Sequence, residues 1–141
     1  MWKLNKSYYF NIRYFDLFFS LILGCLLSLA NPPFSFPYII IPIFAIIGYN
    51  WLNKQFNLLQ SFFYGFFFGF GYFISNLYWI SISLTFDENF KFLIPLTIIL
   101  VPGFLALFSA LTVYFFAILK TSNGLSSFFL FSVIFGIFEF L

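Results

Sequence analysis

The sequence contains no histidine and only one cysteine, Cys25. A single cysteine excludes an internal disulfide bond and any metal site built from several thiolates. Four acidic residues are spread over the 141-residue chain, which argues against a site made of several carboxylates. The sequence therefore predicts neither a bound metal nor another cofactor.

Charge of either sign is scarce. Charged residues make up 7% of the chain and hydrophobic residues 63%, whereas a soluble domain carries about 25% charged residues. Such a chain cannot cover its surface with polar side chains, so we expect a lipid bilayer to be its solvent. The formal net charge of +2 is too small to indicate nucleic-acid binding.

Long uncharged segments separate the few charges. They cover residues 17–53, 55–86, 92–119 and 121–138. A membrane-spanning helix needs about 20 apolar residues, and a backbone in lipid must satisfy its own hydrogen bonds. We therefore predict an all-α fold, a polytopic bundle of about five transmembrane helices.

Prolines divide the first uncharged segment, because proline lacks a backbone N–H and disfavours helix in the residue before it. The break is expected at Asn31-Pro32-Pro33. Residues 1–14 are predicted to form a cytoplasmic segment and residues 15–141 the transmembrane region, with its last helix cut off at Leu141. The predicted helices span about residues 15–30, 37–52, 59–86, 92–119 and 125–141.

Basic residues predict the orientation, because they favour the cytoplasmic side. With the N-terminus inside, the outer segments 31–36 and 87–91 hold only Lys91. The other basic residues lie inside: Lys3, Lys6, Arg13, Lys54 and Lys120. A second interpretation of the N-terminus is a signal peptide whose cleavage site follows Ser28-Leu29-Ala30, although another hydrophobic segment comes after it.

The predicted third helix has one face of small and polar residues. At about 100° per residue, this face occupies an arc of about 80°. Its members are Ser61, Gly65, Gly69, Tyr72, Asn76, Trp79 and Ser83. Gly71 falls outside the arc, and the sequence assigns it no role.

Two interpretations of this face stay open. In the first, Gly65 and Gly69 let a neighbouring helix approach closely, and the polar side chains bond across the helix interface. In the second, Asn76, Trp79 and Ser83 line a groove near the outer surface that holds a lipid.

No residue of the chain is a strong catalytic candidate. Cys25 lies mid-helix among apolar residues, where a thiol is inert. Glu139 follows a long uncharged run, where a carboxylate is costly unless it is paired or at the interface. Pro102 is expected to kink the fourth helix.

Three segments, taken in order, resemble bacterial apolipoprotein N-acyltransferases. They are LANPPFSFPYIIIPIFAIIGY from Leu29, GFFFGFGYFISNLYWISISLTF from Gly65 and FEFL at the end. The resemblance covers about residues 15–141. The double proline after Asn31 departs from the family, which more often has a single one there.

The resemblance implies an inner-membrane bundle that carries a nitrilase-like α/β domain on the periplasmic side. It implies transfer of an acyl chain from a phospholipid to the N-terminal diacylglyceryl-cysteine of a lipoprotein. The family's catalytic Glu, Lys and Cys belong to that α/β domain, and no position here matches them. We therefore expect the chain alone to be inactive, with phospholipid as its partner and the lipoprotein engaged through the missing domain.

Two other functions stay open at this stage. The chain could be a small non-catalytic membrane protein that binds lipid or acts as a scaffold. It could also be a transporter fragment, although a transporter usually carries ionisable residues within its spans.

Overall fold

The computed structural model describes residues 14–53, 56–83, 92–119 and 124–140. Over these residues the chain is helical, which confirms the predicted all-α class. The five α-helices within them are α1 (Tyr14–Leu27), α2 (Ile40–Asn53), α3 (Leu58–Ser83), α4 (Ile94–Leu119) and α5 (Gly124–Phe140). The predicted cytoplasmic segment before Tyr14, the outer segment 87–91, Lys54 and Lys120 lie outside the described residues.

The chain reverses between α1 and α2 in a compact turn. A short 3₁₀ helix, Ser28–Ala30, follows α1, and Asn31 then leaves helical geometry with an extended backbone. The Phe36 N–H donates to the Leu29 carbonyl at 3.1 Å and the Ser35 N–H to the Asn31 carbonyl at 3.0 Å. Pro37 opens a second 3₁₀ helix, Pro37–Ile39, where its missing N–H is not needed.

Helix α3 lies at the centre of the described bundle, against α4 on one side and α1 on the other. Small residues set both close approaches. A Cβ on Gly65 would lie 2.6 Å from Val113 Cγ2 of α4, and one on Gly69 would lie 2.6 Å from Ser109 Cβ. On the other side, a Cβ on Gly24 of α1 would overlap the Phe68 carbonyl oxygen.

The order of these contacts gives the helix directions. Ser20 meets Tyr64 and Asn31 meets Asn76, so residue numbers rise together and α1 runs parallel to α3. Gly65 meets Val113 whereas Gly69 meets Ala106, so α4 runs antiparallel to α3.

The core lies where these helices meet. Ala106 and Ala110 are fully buried on α4. Ile43 and Ile47 bring α2 into an apolar cluster with Val113 and Phe116 of α4. The ring of Phe131 joins α5 to this cluster, with its centroid 5.5 Å from that of Phe116. Helix α4 continues through Pro102, whose side chain is buried.

Two of the described helices are long and apolar enough to cross a membrane, by length and composition. They are residues 58–78 of α3 and the whole of α4. Several large apolar side chains on α4 and α5 are more than half exposed: Ile99, Leu100, Phe104, Phe129, Val133 and Ile137. An apolar surface of this kind suits contact with lipid chains.

Candidate functional site

A polar network joins the α1–α2 turn to α3. The Asn31 side-chain amide donates to the Tyr72 hydroxyl at 3.0 Å and to the Asn76 side-chain oxygen at 3.0 Å. The Asn76 amide in turn donates to the Tyr72 main-chain carbonyl at 2.9 Å, one helical turn earlier. We call Asn31, Tyr72 and Asn76 the outer network, after the segment 31–36 that the sequence predicts to lie outside.

The local sequence explains why these side chains meet. Tyr72 and Asn76 are four residues apart and therefore share one face of α3. Pro32 ends the helical path after Asn31, so the Asn31 amide is held in a turn and not along a helix. This places it beside residues that follow it by 41 and 45 positions.

The outer network has donors left over. An asparagine amide has two hydrogens, and Asn31 places one on each of its two acceptors. Tyr72 accepts through its hydroxyl and keeps its own proton, and Asn76 keeps its second amide hydrogen. Among the residues that the structure describes, no acceptor is in hydrogen-bond range of either hydrogen. All three side chains are half-buried.

Exposed aromatic side chains follow the outer network along the chain. Phe34, Phe36 and Tyr38 are each more than half exposed. Aromatic residues of this kind concentrate at membrane–water interfaces, where the ring sits at headgroup level. The outer network therefore stands beside a segment suited to the lipid headgroup region.

The sequence-predicted site residues fall into separate groups. Asn76 belongs to the outer network. Gly65 and Gly69 instead lie against α4. Trp79 and Ser83 lie on α3, but their side chains are not among those described, so their place in a groove stays a prediction.

Sequence reasoning missed two members of the network and one packing glycine. The sequence indicates Asn31 only as part of the chain break and Tyr72 only as a member of the small and polar face of α3. Gly71, which had no predicted role, lies against α1, where an added Cβ would overlap the Leu21 carbonyl oxygen. Gly71 could have been found because it lies on a different face of α3 from Gly65 and Gly69. A helix packed between two neighbours needs small residues on two faces.

The described groups can hold polar oxygens but supply no acyl-transfer centre. The Cys25 thiol is half-buried and donates to the Gly71 carbonyl at 3.4 Å, a contact between helices. In the described part of the chain, no three metal-ligating side chains come together. Hydrogen-bond donors and aromatic rings at a helix end suit recognition of a phosphate or ester oxygen.

Comparison with known proteins identifies close sequence relationships. Residues 23–141 match the family model described as "Apolipoprotein N-acyltransferase N-terminal domain". An apolipoprotein N-acyltransferase of Brucella melitensis biotype 1 is 35% identical over 127 residues, covering 84% of this chain and 24% of that protein. One of Rhodopseudomonas palustris is 38% identical over 97 residues, covering 65% of this chain and 18% of the relative.

The alignments cover only part of these relatives. The chain spans no more than 24% of the length of the curated relatives named above. No solved structure matches it.

Proposed function

Because this chain belongs to the apolipoprotein N-acyltransferase family, we propose that it forms the N-terminal membrane part of such an enzyme. In that role its helices hold a phospholipid at the bacterial inner membrane while the acyl chain is transferred to the N-terminal diacylglyceryl-cysteine of a lipoprotein. The chain contributes lipid positioning, and the acyl-transfer chemistry needs groups that it does not supply.

The outer network is the observation that carries this proposal. Phosphate and ester oxygens accept hydrogen bonds, and Tyr72 and Asn76 each have a hydrogen with no acceptor among the described residues. Each such bond contributes about 0.5–1.5 kcal/mol. Two donors held by a third side chain would fix a headgroup in one orientation, which is how positioning contributes to catalysis.

Helix directions support a multi-pass arrangement with the outer network at the periplasmic face. Helix α4 runs opposite to α3, and α1 runs alongside α3, as expected for successive passes through a bilayer. The turn after α1 and the C-terminal half of α3 then share one membrane face. The distribution of basic residues in the sequence supports an orientation with that face outside.

The residue types available favour positioning over catalysis by this chain alone. Amide formation from an ester needs an activated nucleophile and donors for the oxyanion. The sequence contains no histidine, and Cys25 is engaged in a helix contact.

A transporter fragment is the less supported alternative. Among the residues described with their side chains, Asp16 carries the one formal charge, and it lies in the first turn of α1. Transport pathways usually place ionisable groups deeper in the spans. A non-catalytic lipid-binding protein would use the same outer network, and only an activity measurement separates it from the proposed function.

The test joins this chain to the remaining part of the Brucella melitensis relative and measures acyl transfer. Tyr72→Phe removes one hydroxyl without changing the ring, and we expect KM for phospholipid to rise about 3- to 10-fold. Tyr14→Phe is the matched control. It makes the same chemical change at the start of α1, far from the outer network, and is expected to leave KM unaltered. Equal KM values for the two variants would contradict the role of the outer network.

Trp79→Ala and Ser83→Ala extend the test to the groove predicted from the sequence. Both are expected to weaken transfer through KM, because they would misplace lipid without touching the reacting atoms. A fall in kcat with KM unchanged would contradict a positioning role for these residues.

A further inference from the structure

A cavity lies between α1 and α2, near the first turn of α1 and the last turns of α2. Its volume is about 530 Å³. The rings of Phe15, Phe19 and Tyr49 line it together with the side chains of Asp16 and Asn50. We call this cavity the inner groove, and Ala45 and Ile46 complete its apolar wall.

The inner groove is separate from the outer network. Asp16 and Asn31 are 15 positions apart along α1 and the turn that follows it, which corresponds to about 22 Å at about 1.5 Å per residue. A ligand at one site therefore does not reach the other. If the outer network faces the periplasm, the inner groove lies at the cytoplasmic leaflet.

Asp16 gives the inner groove its charge. Its side chain is only 8% exposed, although a buried carboxylate is costly unless it has partners. Asp16 already interacts within the protein. A carboxylate offers about four lone-pair positions, so it can take a further donor from a ligand.

The remaining lining residues favour a particular cation. Aromatic faces attract ammonium groups through their quadrupoles, and a carboxylate beside such rings is the usual surrounding of an ammonium ligand. Tyr49 and Phe15 are both 71% exposed, so the rings lie at the mouth of the groove.

We propose that the inner groove binds the ammonium headgroup of a phospholipid. The ammonium group lies against the Asp16 carboxylate and between the aromatic rings, with the Asn50 amide beside it. The first methylenes of the lipid follow Ala45 and Ile46 into the bilayer. An anionic headgroup is disfavoured, because its charge would face the Asp16 carboxylate.

The test measures lipid retention on the purified chain. The chain is prepared in lipid-depleted detergent, supplied with equal amounts of phosphatidylethanolamine and phosphatidylglycerol, and examined by native mass spectrometry. Wild-type chain is expected to retain phosphatidylethanolamine preferentially. Asp16→Asn keeps the side-chain shape and removes the charge, and about a tenfold loss of that preference is expected, as for one charge-assisted bond.

Two further variants make the outcome decisive. Ala45→Phe fills the groove while keeping Asp16, and it should lower retention of phosphatidylethanolamine with helicity unchanged by circular dichroism. Val133→Ala, on the exposed side of α5 and outside both sites, is the matched control and should leave the preference intact. The retention measurement involves no acyl transfer, so its result does not depend on the proposed function. Equal retention of the two lipids by wild type, or a preference that survives Asp16→Asn, would overturn the proposal.

Discussion

Replacing Gly24 by alanine tests the close contact between α1 and α3. A Cβ at this position would overlap the Phe68 carbonyl oxygen and lie 2.9 Å from the Tyr72 main-chain nitrogen. It would also lie 3.0 Å from the Phe68 carbonyl carbon. All three atoms belong to the α3 backbone, so no side-chain rotation can relieve the overlap, and the helices must separate.

The expected magnitude combines two opposing effects. Alanine is favoured over glycine in a helix by about 1 kcal/mol. Overpacking costs about 1–3 kcal/mol, and the upper end applies when neighbours cannot adjust. Gly24→Ala should therefore destabilise the bundle by about 1–2 kcal/mol.

Gly48 provides the matched control, because it also lies within a helix and nothing is within 4 Å of its Cβ position. Gly48→Ala should have only the helix-propensity effect and stabilise the protein by up to about 1 kcal/mol. The two variants should thus differ by about 1–3 kcal/mol, and a difference of about 2 kcal/mol is a factor of about 30 in the folded-to-unfolded ratio.

The measurement is reversible unfolding in mixed micelles, with rising dodecyl sulfate and helicity followed by far-ultraviolet circular dichroism. Gly24→Ala should unfold at a lower mole fraction of dodecyl sulfate than wild type, and Gly48→Ala at an equal or higher one. The same midpoint for both variants would refute the contact between α1 and α3.

Three other predictions address packing, orientation and activity. Gly69→Leu should lower thermal stability in detergent far more than Phe66→Leu, because the Gly69 Cβ position lies 2.6 Å from Ser109 Oγ; equal losses would remove the packing argument. Asn89→Cys in a Cys25→Ser background should react with an impermeant thiol reagent in intact cells, and labelling only after lysis would reverse the orientation. The purified chain should show no acyl transfer. Activity that Cys25→Ser abolishes would contradict the proposal that this chain does not supply the groups for acyl transfer.

The helical class could be predicted from the sequence because it depends on composition and on the backbone hydrogen bonding of each segment. Uncharged segments of spanning length admit few backbone solutions in lipid. The chain break was similarly accessible, since Pro32 acts on its own neighbour, and Asn31 does leave helical geometry. These features need no knowledge of which helices become neighbours.

The second packed face of α3 could not be predicted in the same way. A search for one polar or small face finds Gly65 and Gly69 and leaves Gly71 unexplained. Gly71 has a packing role only because α1 lies alongside α3, where Leu21 contacts it. Helix order in space is a tertiary property that periodicity along one helix does not contain.

The outer network depends on the same tertiary information. Asn31 and Tyr72 are 41 positions apart, and neither residue type signals the other in the sequence. Asn76 was a candidate because it is a polar side chain in an apolar helix, where such groups usually have a partner. Trp79 and Ser83 rest on that reasoning alone and stay predictions.

Packing and lipid positioning, which the sequence presents as alternatives, are linked through the register of α1 against α3. The Ser20 hydroxyl donates to the Tyr64 carbonyl at 2.6 Å, and the Gly24 contact follows one turn later. Together these two contacts fix how far α1 lies along α3.

A slip of one residue would move α1 by about 1.5 Å. The Asn31 bonds are 3.0 Å long and would then exceed the range of a hydrogen bond. Ser20 and Gly24 of α1 therefore determine whether Asn31, which follows the end of α1, reaches Tyr72. We accordingly expect Gly24→Ala, made in the fusion with the Brucella melitensis relative, to raise KM for phospholipid although Gly24 makes none of the outer network's hydrogen bonds.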